Sequence, residues 1–133
     1  MPRFLLAITL CLPLLAQAAS LKDHELSRLL QRVARDSSIG TPRAINQDIL
    51  DRGYSVDGNQ LVNHLSVRPA HAAQMRANPE QVRVQLSNSV CANDGYRRLL
   101  AQGALLRYEF SELRSNRPIA SETFRESDCT SPD

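Results

Sequence analysis

An almost unbroken apolar run, Phe4 to Leu15, follows Arg3 and ends at Ala16-Gln17-Ala18. A basic start, an apolar stretch and an A-x-A site form the pattern of a secretory leader, here cut after Ala18. The run is about 12 residues, well short of the roughly 20 that a bilayer-spanning helix needs. The leader constrains everything after it. Its removal takes Cys11 away and leaves Cys91 and Cys129 as the only cysteines of residues 19–133. In an oxidising compartment such a pair is expected to close one disulfide. The loop would hold about 39 residues, and chain-entropy arithmetic puts its stabilisation near 4 kcal/mol. The spacing is unlike the C-x-x-C of redox proteins. His24, His64 and His71 are too scattered in sequence to read as a zinc site. No metal or cofactor is expected.

The 133-residue chain carries 16 Lys+Arg against 14 Asp+Glu, a formal charge of +2 that argues against a nucleic-acid partner. No segment after the leader approaches membrane-spanning length. Residues 19–133 have room for one domain.

Periodicity supplies the architecture. Leu26, Leu29, Leu30 and Val33 repeat at helical spacing, predicting an amphipathic helix over residues 21–36 with Ser20 as its N-cap. Gly40-Thr41-Pro42 ends it. Asp57-Gly58-Asn59 marks a hairpin turn. After it, residues 60–68 alternate as a strand; before it, residues 44–56 read as a weaker strand, with a helix opened by Pro42 as the alternative. Residues 70–77 read as a short helix. Asn78-Pro79-Glu80-Gln81 then starts a helix over 79–90, with Asn78 as cap and Gln81 completing a capping box. Another short helix runs from Asn93-Asp94 to Leu100 and is closed by Gly103. Ala104, Leu106, Tyr108 and Phe110 alternate with more polar residues, giving a strand that turns at 114–117 and returns over 119–126. The expected fold is α+β: an antiparallel sheet of about four strands in two hairpins, helices on one face, one disulfide.

Chemistry is sparsely marked. The chain has no G-x-S-x-G, P-loop or H-E-x-x-H, so no catalytic residue is nominated. Arg28, Arg32 and Arg35 form a stripe opposite the apolar face of the first helix. Arginines in such a stripe suit bidentate contact with carboxylate or phosphate, and this is the candidate anion-binding site. The bland reading is a solvated face neutralised by acids such as Glu25 and Asp36. Glu109 and Glu122 could meet on one sheet face as a carboxylate pair, or could simply be wet-face charges.

Several residues recur together: Gly40-Thr41-Pro42, Asp57-Gly58, Val90-Cys91, Leu99-Leu100 with Gly103, Leu106-Arg107-Tyr108 and Asp128-Cys129. With the leader, this full-length pattern resembles a small Pseudomonas-restricted family of secreted, quorum-sensing-regulated virulence factors of unknown function. The resemblance implies export, a disulfide-bearing α+β domain and a part in virulence. It carries no catalytic residues.

The leading expectation is therefore a non-enzymatic secreted or periplasmic module that binds a protein partner through a sheet edge or a helix groove. The alternatives are a small envelope or extracellular hydrolase, and an arginine-mediated binder of anionic ligands. A hydrolase predicts a concave pocket holding at least two groups with perturbed pKa values.

Overall fold

The computed structural model describes residues 14–130, with side chains from Leu21. The expected leader lies outside the described residues over 1–13, Cys11 included, as do the last tail residues, 131–133. Helix α1 spans Leu14–Ser37, so Ser20 falls inside it and does not cap it. Leu26, Leu30 and Ala34 are buried, with Leu29 and Val33 half-buried beside them. These positions follow one stripe of a 3.6-residue helix, as their spacing predicts.

The strands are β1 (Arg43–Ala44), β2 (Ile49–Asp57), β3 (Gln60–Val67), β4 (Leu105–Glu112) and β5 (Pro118–Phe124). They lie side by side in sequence order in one sheet. The α+β class and both hairpins, β2–β3 and β4–β5, are as expected. Two features go beyond the expectation. The short β1 adds a fifth strand, and β3 pairs with β4 in parallel. The parallel pairing follows from the connection. Helices α2 (Pro69–Ala77), α3 (Pro79–Ala92) and α4 (Asp94–Ala101) return the chain to the end of the sheet from which β3 set out. The next strand must then run the same way.

All four helices cover one face. α1 lies on β2 and β3, α4 on β4, and α2 and α3 on β5. Leu61 and Leu65 of β3, Leu106 and Phe110 of β4, and Phe124 of β5 point into this layer. The alternate positions, including His64, Arg107, Glu109 and Ser121, form the uncovered face.

A bulge sits in β2 between Asp51 and Tyr54. Gly53 there has φ +106°, and a Cβ would meet Ser38 Oγ and Thr41 Oγ1, each at 3.1 Å. The buried Asp51 carboxylate holds the bulge closed. Its Oδ1 accepts from Gly53 N at 2.9 Å and from Asn63 Nδ2 at 2.9 Å. Ser38 ties the end of α1 to the same place, accepting from Tyr54 N at 2.8 Å.

The helix starts differ from one another. Asn93 caps α4, its Oδ1 accepting from Tyr96 N at 3.0 Å. Asn78 precedes α3 as predicted, with Pro79 in the first turn, yet its side chain makes no cap. Its amide turns back and donates to Gln74 O at 2.9 Å, because α2 ends immediately before it. The expected capping box is therefore not formed. Cys91, at the end of α3, is bonded to Cys129 in a short 3-10 helix over Glu126–Cys129, with a Cα–Cα distance of 5.2 Å.

Candidate functional site

The arginine stripe of α1 is where the sequence places it. Arg28, Arg32 and Arg35 are exposed and line an open groove of about 1000 Å³ between α1 and the C-terminal end of α4. Leu26 and Leu29 also line it, and Ala101 and Gln102 form the facing wall. Lys22 adds a fourth cation, against the single carboxylate of Glu25.

No close ion pair reaches the stripe among the described residues. Among the described residues, the arginine ion pairs fall on Arg43, Arg76, Arg83 and Arg107. Neither Glu25 nor Asp36 pairs with the stripe. One turn of helix separates Arg28 from Arg32 and Arg32 from Arg35, so the three guanidinium groups ride side by side. The groove is thus a concave basic surface. A second cavity of about 410 Å³ adjoins it at Ala101 and holds Arg97 and Arg98 with Asp94 and Glu126. Two cations and two carboxylates leave that neighbour without net charge.

The other marked residues do not converge. His24 lies on α1, His64 on the uncovered sheet face and His71 on α2, where its Nδ1 is 3.9 Å from Asp48 Oδ2. Among the described residues no cluster of three metal-ligating side chains forms. Glu109 and Glu122 are on opposite faces of the sheet. The β4–β5 register sets Glu109 against Ser121 and Tyr108 against Glu122, one residue away from the pairing that would bring the two carboxylates together. Glu122 instead accepts from Arg83 Nη1 at 2.7 Å on the helix side.

Ser55 Oγ and His64 Nε2 lie 2.7 Å apart beside a cavity of about 370 Å³ on the uncovered face. Glu109 is in register with His64, but it accepts from the Ser121 hydroxyl at 2.8 Å. It also sits 2.8 Å from Arg107 Nε, as an ion pair whose N–H does not point at the oxygen. The serine and histidine therefore lack the orienting carboxylate that a nucleophilic triad uses.

Two groupings had no sequence signal. Arg83 lies 4.6 Å over the Phe124 ring, bonds Glu122, and reaches Asp128 at 3.5 Å. The chain's three tyrosines, far apart in sequence, gather under the helices: Tyr54 and Tyr96 hydroxyls are 3.0 Å apart, and Tyr108 stands edge-on to Phe124 at 6.1 Å. Burial pushes the Tyr54 hydroxyl far above its ordinary range, and its bond to Tyr96 adds to this. Burial does the same to Tyr108. An unfolded tyrosine ionises near pH 10. The stabilisation from keeping these phenols neutral is complete below about pH 10 and is lost as pH rises above it. The urea midpoint is therefore expected to fall above about pH 10, and less so in Tyr108→Phe. Tyrosinate absorbance from all three residues at that pH, in still-folded protein, would contradict this.

Helices backing one face of a mostly antiparallel sheet, with one disulfide, define a small α+β protein whose fold recurs in other solved structures. A pilotin of the Vibrio vulnificus type 2 secretion system, EpsS, has a TM-score of 0.71 at 18% identity, covering 85% of this chain and 99% of its own. The type II secretion system pilotin AspS from Vibrio cholerae has a TM-score of 0.67 at 21% identity, covering 84% and 99%. At that identity the likeness is one of fold. The chain belongs to the family described as "Putative quorum-sensing-regulated virulence factor", whose model matches residues 19–130. The crystal structure of a "putative secreted protein" from Pseudomonas aeruginosa is similar at 61% identity and a TM-score of 0.81, covering 83% of this chain and 97% of its own. No curated protein matches.

Proposed function

We propose that this chain is an exported, non-enzymatic protein-interaction module, virulence-associated, that is cut after Ala18 and works as a single domain over residues 19–133. Its working surface is the groove along α1. The observation that carries this reading is the groove itself: exposed cations that make no ion pair among the described residues, beside the half-buried Leu29, so that the surface is free to grip a partner's carboxylates. Membership of a family named for virulence, a relative named as secreted, and a fold shared with two pilotins all support it.

The test is site-specific photocrosslinking in producing cells. A crosslinker at Gln31, in the groove, is expected to capture a protein, whereas one at Ser121, on the uncovered face, captures none. Equal yields from both positions, or no adduct at Gln31, would overturn the assignment of the surface. The intact mass of the recovered protein without reductant is expected to match residues 19–133 less two hydrogens. Arginine-mediated binding of small anions is a second reading, favoured by the same unpaired guanidinium groups. It predicts binding of orthophosphate that weakens as salt rises.

A further inference from the structure

The geometry points to a second binding site, on the uncovered face of the sheet, built around Arg52 and fitted to a small molecule that carries one carboxylate. It shares no lining residue with the α1 groove. The site begins at the β2 bulge. Asp51 is in register with Leu65 and Tyr54 with Asn63, so Arg52 and Gly53 together face the single position of His64. An inserted residue of this kind re-aims a side chain. The Arg52 guanidinium reaches Ser66, two residues along β3 from the position it faces, and its Nη1 donates to Ser66 Oγ at 3.1 Å. Ser66 is only 2% exposed. A buried hydroxyl therefore steadies one end of an otherwise exposed guanidinium, and the remaining N–H groups are left for a ligand. On β4, Ser111 stands opposite Ser66 and Glu109 opposite His64. Asn116, in the turn after β4, has φ +58°, a conformation that asparagine accepts more readily than most residues. The turn brings it to the same cavity of about 370 Å³, a volume suited to a small ligand.

Charge selects the ligand. The cavity holds one carboxylate, Glu109, and one guanidinium, Arg52. Glu109 is already engaged, by the Ser121 hydroxyl at 2.8 Å and by Arg107 Nε at 2.8 Å. Arg52 makes no ion pair among the described residues. The charge left to meet a ligand is thus a single guanidinium, whose parallel N–H groups match the two oxygens of a carboxylate. Ser111 and Asn116 supply further donors. A phosphate dianion would set two negative charges beside Glu109 with one cation to meet them, and a cationic ligand would face Arg52 directly.

The experiment is an amide NMR titration of the oxidised 19–133 protein with sodium acetate and sodium butyrate at about pH 7, where carboxylates are ionised. Sodium chloride holds the ionic strength constant. Acetamide, the neutral counterpart of acetate, and orthophosphate are run beside them. The expected result is a saturable shift of the Arg52, Ser66 and Ser111 backbone amides and of the Asn116 side-chain amide, with a dissociation constant of about 10 mM or tighter. Arg52→Gln is expected to weaken binding at least about fivefold, and Arg52→Lys, which keeps the charge and loses the fork, to weaken it less. Glu109→Gln removes a repelling charge and releases Arg107, and is expected to tighten binding about twofold or more. Arg52 and Glu109 are exposed and half-buried, and the amide spectrum away from the cavity verifies that each variant folds. Shifts that rise without saturating, shifts confined to α1, an equal response to acetamide, tighter binding of orthophosphate, or unchanged affinity in both Arg52 variants would each overturn the inference. The Gln31 crosslink bears on the groove alone, so the two readings stand or fall separately.

Discussion

Replacing Phe124 with alanine is expected to cost about 3–5 kcal/mol of folding stability. Phe124 is fully buried at the end of β5 and belongs to the cluster that also holds Leu30, Leu61, Val90, Leu100 and Leu106. It therefore sits in the cluster to which α1, α3 and α4 all contribute side chains. The loss has two parts. Removing the ring leaves a cavity that the helices cannot fill, because the disulfide and the Arg83 network hold α3 against the chain that follows β5. The edge-on contact with Tyr108 and the guanidinium over the ring disappear as well. Urea unfolding of the 19–133 protein measures it, with Phe124→Leu expected to lose distinctly less. A loss below about 1 kcal/mol in the alanine variant would show that the core is not centred on this ring.

Removing the bridge is expected to have a comparable effect. The double variant Cys91→Ser, Cys129→Ser is expected to lose about 2–5 kcal/mol, with the loop-closure arithmetic near 4. The bridge spans a sequence separation of 38 and fixes the end of α3 to the segment after β5. Without it the unfolded chain gains freedom, and the 3-10 helix keeps only polar ties such as Arg125 N to Asp128 Oδ2 at 2.8 Å and Arg83 to Asp128. The urea midpoint of the unmodified protein in strong reductant is expected to fall to that of the double variant. An unchanged midpoint on reduction would mean that the non-covalent contacts hold this end alone.

Most of the architecture was legible because it is local. The α1 stripe, the Asp57-Gly58 turn and the alternation of β4 depend on residues a few positions apart. The long-range pairings were less visible. Whether β3 and β4 run parallel is decided by the three intervening helices and not by either strand's own pattern. The separation of Glu109 from Glu122 hangs on a one-residue register that the turn after β4 sets. The tyrosine grouping joins positions 54, 96 and 108, which only the folded chain brings together. The cap expected at Asn78 is missing for another reason: the end of the preceding helix competes for its side chain. For the candidate site, the stripe Arg28, Arg32 and Arg35 could be read directly, since residues on one helix keep their spacing. The facing wall at Ala101 could not, because it depends on where α4 comes to rest.

The bridge also changes what a single cut in the backbone can do. Cys91 and Cys129 enclose α4, β4, β5 and the exposed turn over 114–117, which carries Arg114 and Arg117. A trypsin-like protease would find two exposed basic residues in that turn. Its cut would not release a fragment. The two pieces would stay joined through sulfur, with β4 and β5 still hydrogen-bonded to each other and β3 still beside β4. The groove along α1 lies entirely outside the turn, so a nicked two-chain molecule keeps the same basic surface as the intact one.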